Sequence, residues 1–183
     1  AGIGLEYVTT DYNEFNYSSG ILDTAQLTFN LGYPVNEVTR LNFGVGYQVS
    51  KLKASRYTPA QQVIDFFADN GQDLRIDPTY DFNLFRFNTG WTRNSLNRGI
   101  FPDRGTSQTL SANFTVPGSD LEFYKLDYSI NHYMPIAPGW TFLSKFRASW
   151  GNGYGDTESL PFLENFSAGG SGTMRGFESN TIG

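Results

Sequence analysis

The sequence predicts an all-β fold. We expect a transmembrane antiparallel β-barrel, here an incomplete segment of about seven strands plus a long Gly-rich loop folded into the lumen. Three observations support this. Ten-residue stretches alternate between apolar and polar residues, short and long connections follow one another, and aromatic residues lie at the ends of the apolar faces. A β-sheet that separates lipid from water has these three properties.

The alternation is clearest in residues 41–50. Every second residue there is large and apolar, namely Leu41, Phe43, Val45, Tyr47 and Val49. A period of two residues is that of a β-strand, whose side chains point alternately to opposite faces. We expect strands at about 2–9, 24–33, 41–51, 80–94, 106–116, 123–134 and 140–150, all within a single transmembrane β-barrel domain over 1–183.

The connections between these strands differ in length. Short turns at 34–40 and 135–139 and a medium one at 95–105 alternate with longer connections at 9–23, 51–79 and 151–183, with a short exception at 117–122. Outer-membrane barrels have tight periplasmic turns and longer extracellular loops. We therefore expect the short and medium turns to face the periplasm, and 151–183 to be an extracellular-type loop.

Five large aromatic residues lie on the apolar faces near strand ends, and we predict that they are membrane-interface aromatics: Tyr33, Trp91, Tyr124, Trp140 and Trp150. Amphipathic rings prefer the level of the lipid headgroups, where one edge of the ring meets water. The alternative is that they are core aromatics of a soluble β-sandwich, although such a core would not favour strand ends.

Composition argues against several classes of function. The chain has no cysteine, which excludes disulfides and thiolate metal sites, and its net charge of −5 argues against nucleic acid as a partner. The only histidine, His132, lies on an apolar face near a predicted strand end, and the Gly169–Thr173 run matches neither a nucleophile elbow nor a phosphate-binding loop. We expect no enzymatic activity, no cofactor and no metal.

The long connection 51–79 is predicted to contain a helix. Thr58 suits the N-cap and Pro59 the first helical position, while Gly71 can end the helix. Val63, Phe66 and Phe67 would share one face. Two interpretations stay open, a helix lying over the mouth of the barrel and a helix that binds a partner.

The polar faces carry charges of both signs, at Glu6, Arg86, Lys125, Asp127, Lys145 and Arg147. Such a mixture is ordinary on a water-filled lumen wall, and it can also anchor a segment folded inside. Residues 151–183 are long for an exposed loop and rich in aromatic residues. We expect this loop to pack back into the lumen.

The end of the chain carries a resemblance to a known family. Residues 164–170 read Glu-Asn-Phe-Ser-Ala-Gly-Gly and are followed by Met174, Arg175, Gly176 and Phe177. This resembles the RGF loop of the BamA family of outer-membrane protein assembly factors and its insertase superfamily, with Met174 where Val is commoner. Segments 31–37, 98–102, 116–120 and 124–125 are similar to barrel segments of that family in the same order.

The resemblance implies roles for particular residues. It makes 174–177 a functional loop motif, with Arg175 as the lumen anchor whose acidic partners lie beyond Gly183. The residues that would support this loop are Glu164, Asn165, Phe166, Gly169 and Gly170. It also implies a sixteen-stranded barrel, of which this chain would be about the fifth to eleventh strands. The remaining strands, the gate between first and last strands, and the periplasmic POTRA domains are expected outside the chain.

The function that the resemblance implies is the folding and insertion of β-barrel proteins into the bacterial outer membrane, without catalysis or ATP. The partners would be the lipid bilayer and lipopolysaccharide, the lipoproteins of the BAM complex through the POTRA domains, and nascent outer-membrane proteins as clients. Three alternatives stay open: a related superfamily transporter such as TamA or a two-partner secretion translocator, a passive porin, and a soluble β-sandwich binding module.

Overall fold

The computed structural model describes residues 1–11, 20–54 and 61–166, and these residues form one antiparallel sheet in which each strand pairs with its neighbours in sequence. The strands are β1 Gly2–Asp11, β2 Gly20–Pro34, β3 Thr39–Ala54, β4 Thr79–Asn94, β5 Gly105–Thr115, β6 Phe123–Ala137 and β7 Trp140–Gly153. One α-helix, α1 at Gln61–Asp69, and a 3-10 turn at Phe162–Glu164 complete the described elements. The predicted all-β antiparallel architecture is confirmed. Within the described residues, no helix is long and apolar enough to cross a membrane.

One face of the sheet, the outer face, is apolar and exposed. Val45 in β3 pairs with Phe29 of β2 and with Phe87 of β4, and Val45 is 51% exposed. The rings of Phe87 and Phe114 lie 4.8 Å apart between β4 and β5. Because neighbouring strands place such residues side by side, the outer face is a continuous apolar band. A band of this extent is stable only against another apolar phase.

The apolar band runs obliquely across the strands. We call the end of the sheet next to α1 the upper end. In β3 the uppermost residue of the band is Val49. In β7 it is Trp150, which a row of cross-strand pairs through β4, β5 and β6 connects to Phe43 of β3. Val49 and Phe43 are six residues apart, so the band descends ~20 Å across four strand spacings of ~19 Å in total. This corresponds to strands tilted by about 45°, as in a membrane barrel.

The strands continue above the apolar band. There the outer face becomes polar: Lys53 Nζ lies 2.8 Å from Asp23 Oδ2, and Lys51 Nζ lies 3.4 Å from Asp81 Oδ2. Strand β2 accordingly begins at Gly20 and β3 ends at Ala54, beyond the predicted 24–33 and 41–51. The backbone ladder continues where the apolar alternation stops, because pairing needs only backbone donors and acceptors.

The opposite, inner face is apolar only at its upper end, where α1 packs. Val63, Phe66 and Phe67 of α1 are buried, as their spacing predicts. The strand residues and connection residues that surround them are Leu52, Leu74, Tyr80, Phe82, Leu84, Leu121 and Phe123. The ring of Phe66 meets that of Tyr80 edge-on at 5.3 Å. The helix therefore covers the inner wall near the mouth of the barrel, in line with the first of the two interpretations.

The C-terminus of α1 is closed by a Schellman motif. Gly71 has a φ of 72°, the N–H of Gln72 donates to the Phe67 carbonyl at 2.8 Å, and the N–H of Gly71 donates to the Ala68 carbonyl at 3.0 Å. Glycine adopts this left-handed conformation at no steric cost. Thr58 and Pro59, predicted for the N-terminus, lie outside the described residues.

We predict that Phe67→Ala releases α1 from the inner wall. Phe67 is fully buried, and removal of its ring leaves a cavity that costs about 3–5 kcal/mol. Amide hydrogen exchange over 61–69 should accelerate by at least tenfold. The control is Ile64→Ala on the same helix, where the side chain is 38% exposed. Equal exchange in the two variants would contradict the assigned core.

We also predict that a charge on the outer face destabilises the barrel more than a charge on the inner face. Val45→Lys places an ammonium group in the middle of the apolar band and should lower the unfolding free energy by about 2–4 kcal/mol. Asn42→Lys, on the inner face of the same strand, should change it little. Urea titration of the protein in phospholipid vesicles compares the two variants, and a similar loss in both would contradict the assignment of the faces.

Candidate functional site: a loop seated on the inner wall

Residues 154–166 leave the end of β7 and turn back over the sheet. The N–H of Tyr154 donates to the Glu122 carbonyl at 2.9 Å, and its hydroxyl donates to the Thr115 carbonyl. The N–H of Glu122 in turn donates to the Thr157 hydroxyl at 2.9 Å. These bonds hold the start of the loop against the β5–β6 connection. We call residues 154–166 the seated loop.

The middle of the seated loop adds to the apolar core. Pro161 is buried, and Leu160, Phe162 and Leu163 pack against the cluster around α1. The rings of Phe162 and Phe66 meet edge-on at 5.3 Å. The predicted return of the loop onto the inner wall is thus visible for this part, since these apolar side chains cover the upper end of the inner face.

Glu164 carries the polar contact of the seated loop. Its Oε1 accepts an ion-paired hydrogen bond from Arg86 of β4, and its Oε2 lies 3.2 Å from Nζ of Lys125 of β6. The three side chains are between 18% and 27% exposed. Nζ of Lys125 also lies 4.9 Å from the ring centroid of Phe166. One carboxylate therefore binds cations from two strands separated by β5, and the pairing is strengthened by partial burial.

The alternation of the strands explains why these cations point inward. Arg86 lies between the outward Phe85 and Phe87, and Lys125 lies between the outward Tyr124 and Leu126. Other inward charges have different partners: Glu6 accepts a bond from Gln26, and Asp127 accepts one from Ser149, each at 2.6 Å. Arg86 and Lys125 are thus the members of the predicted inner charge set that reach the loop.

The predicted loop residues fall into two groups. Glu164, Asn165 and Phe166 are described, and Glu164 is an ionic anchor rather than only a support for the motif that follows. Gly169, Gly170 and the motif 174–177 lie outside the described residues. The sequence signal for Glu164 is an acid in an apolar stretch, between Leu163 and Phe166, opposite a wall that carries four inward cations. The sequence does not show which two of these four cations bind it.

The predicted interface aromatics lie at both ends of the apolar band. Tyr33 pairs with Leu41, and Leu41 pairs with Trp91, so both aromatic residues mark the lower end. Trp140 begins β7 at the same end, while Trp150 and Tyr124 lie at the upper end. Trp140 and Trp150 are 74% and 67% exposed. Their contact with lipid headgroups stays a prediction.

His132 lies on the outer face, where its Nδ1 is 2.8 Å from the Thr106 hydroxyl oxygen. It therefore points away from the seated loop. Among residues 1–11, 20–54 and 61–166, no group of three or more His, Cys, Asp or Glu side chains is arranged to hold a metal ion.

The family model that matches this sequence is the Omp85 superfamily domain, over residues 1–183. The chain belongs to the Omp85 superfamily. It is 31% identical over 133 residues to the outer membrane protein assembly factor BamA of Neisseria meningitidis serogroup B, a match that covers 72% of this chain and 17% of that protein. Its fold matches the crystal structure of BamA from Haemophilus ducreyi lacking POTRA domains 1–3, with a TM-score of 0.86 and 27% identity.

The structural match covers 99% of this Omp85 chain and 34% of the Haemophilus chain. The chain thus spans about a third of that structure and a smaller share of the Neisseria protein. The tilted apolar band, the polar inner face and the family agree, and they identify a segment of a β-barrel of the bacterial outer membrane.

We predict that Glu164→Gln loosens the seated loop of this Omp85 chain. The substitution keeps the shape of the side chain but removes the charge that Arg86 and Lys125 share, at a cost of about 1–2 kcal/mol. Amide exchange over 156–166 should rise by roughly tenfold. Glu158→Gln, at an exposed carboxylate of the same loop, is the matched control. Unchanged exchange in Glu164→Gln would show that the apolar contacts alone hold the loop.

Proposed function

We propose that this chain is part of the barrel of an outer-membrane assembly factor, which folds β-barrel proteins and inserts them into the bacterial outer membrane. The observation that carries the proposal is the match over 99% of the chain to a BamA barrel at 27% identity. The 31% identity to a second BamA supports it, since that protein is described as an outer membrane protein assembly factor.

The proposed activity is ATP-independent and non-catalytic. In such a mechanism the protein supplies a locally thinned bilayer and free strand edges on which an incoming strand can form backbone hydrogen bonds. The part played by this chain is to form a stiff, tilted wall and to hold a loop inside it. The outward position of His132, paired with a threonine hydroxyl, agrees with a role outside catalysis.

The functional segment that we propose is Met174–Phe177, with Arg175 as its lumen anchor and Gly169 and Gly170 allowing close approach of the backbone. Support comes from the segment immediately before it. Glu164 ties that segment to two strands of the inner wall, so the chain leaves the described part from the lumen side. A loop held in this way can transmit a change at the wall to the motif that follows.

A passive pore is the less favoured function. Helix α1 and the seated loop both pack on the upper end of the inner face, where a pore would need an open, water-filled wall. The proposed partners are accordingly those of an assembly factor. They are the bilayer with lipopolysaccharide, BAM lipoproteins bound through POTRA domains, and nascent outer-membrane proteins as clients.

The proposal predicts that Arg175→Ala in the full-length protein impairs client assembly. Without its guanidinium the loop loses its lumen anchor, so the yield of a folded client barrel in reconstituted vesicles should fall several-fold. Arg175→Lys should restore the yield only in part, because an ammonium cannot form the same bidentate pairs. The control is Arg75→Ala in the exposed turn after α1. Wild-type client yield and barrel stability in Arg175→Ala would refute the assigned role.

A further inference from the structure

The connection between β4 and β5 has an apolar, exposed tip at the lower end of the sheet. Ile100 and Phe101 form this tip and are 78% and 88% exposed. Phe101 has a φ of 51°, a left-handed conformation that non-glycine residues seldom adopt. A large aromatic residue thus adopts a strained backbone conformation that glycine would adopt without steric cost. Strain of this kind persists where the surroundings impose it, and it often marks a functional segment.

The base of this tip is held by a clip of polar contacts. Nδ2 of Asn97 donates to Asp103 at 2.6 Å, and the Oδ1 of Asn97 accepts bonds from the backbone N–H groups of Asp103 and Arg104 at 3.2 and 3.3 Å. Asp103 also lies 3.6 Å from the Arg98 guanidinium and 3.7 Å from that of Arg104. The clip closes residues 97–104 into a preformed turn, which we call the clipped turn. Its conformation does not depend on burial of the two apolar side chains.

The clipped turn lies at the level of the lower edge of the apolar band. Arg98 and Asp103 line one groove together with residues 135–141, which are the lower ends of β6 and β7 and the turn between them. Ile136 and Trp140, which also line this groove, are 66% and 74% exposed, and Trp140 continues the outer face below Phe142. The base of the clipped turn, from which the apolar tip projects, is therefore a neighbour of the face that meets lipid. The clipped turn carries two arginines and one aspartate, so it has a net positive charge.

We propose that the clipped turn is a membrane anchor, in which Ile100 and Phe101 insert into the periplasmic leaflet while Arg98 and Arg104 bind the phosphates of its phospholipids. Apolar and aromatic residues flanked by arginine are suited to this level, since the rings reach the acyl chains and the guanidinium groups meet anionic oxygens. Continuity with the lipid-facing band favours phospholipid over a protein domain as the occupant. Preorganisation by the clip removes most of the ordering cost of insertion.

The test uses the full-length protein in vesicles of phosphatidylethanolamine and phosphatidylglycerol. This chain has no cysteine, so Phe101→Cys introduces one labelling site in it for an environment-sensitive fluorophore. Any cysteine in the rest of the full-length protein is replaced first. The control label is placed at Glu37→Cys, at an exposed carboxylate of the β2–β3 turn at the same end of the sheet. We expect blue-shifted emission at position 101 and at least threefold stronger quenching by nitroxide-labelled lipid than at position 37.

Two results would overturn the proposal. Quenching of the label at 101 by aqueous iodide, with no more lipid quenching than at 37, would show that the tip lies in water. Protection from both quenchers would show that a protein surface covers it. If Phe101→Cys does not fold, the same measurement at Ile100→Cys decides between the outcomes, because the adjacent tip residue should report the same insertion.

Discussion

The structure depends on an unbroken ladder of backbone hydrogen bonds from β1 to β7. In a bilayer, each unpaired N–H or C=O costs several kcal/mol, so a strand can cross only when both of its neighbours pair with it. The register of this sheet runs without interruption except for one irregularity between Pro135 and Ala137, at the lower end of β6. Once the ladder is in place, the period of two sends every second side chain to lipid and the others to the inner wall.

This division explains the location of the candidate site. The outer face has to remain apolar across the band, so charge lies on the inner wall, on the polar outer face above the band and in the turns below it. On the inner wall, Arg86 and Lys125 are two strands apart, and a single carboxylate can reach both. The apolar upper end of the same wall then receives α1 and the seated loop. The loop is therefore held by apolar packing at the upper end of the inner wall and by the ionic contacts of Glu164 next to it.

Much of this fold could be predicted from the residues. The segment predicted at 80–94 is observed as Thr79–Asn94, because Tyr80, Phe82 and Leu84 continue the alternation with apolar side chains on the inner face. The segment predicted at 24–33 begins four residues earlier, because the backbone pairing continues above the apolar band, where Asp23 and Lys53 form an ion pair on the outer face. The buried face of α1 followed from the spacing of Val63, Phe66 and Phe67. Glu164 was recognised as part of the loop but not as its anchor, since a loop residue has no period that assigns its partner.

The sequence by itself determined the period, the two unlike faces and the family, because each of these depends on local spacing or on motifs in fixed order. Only the tertiary structure decided which residues meet. The stagger between strands sets the tilt of the band, and the path of the chain after β7 decides that Glu164 joins Arg86 and Lys125. The clip of Asn97 and Asp103 and the strained Phe101 likewise appear only in three dimensions. Contacts between residues far apart in the chain depend on register and loop path, which alternation does not encode.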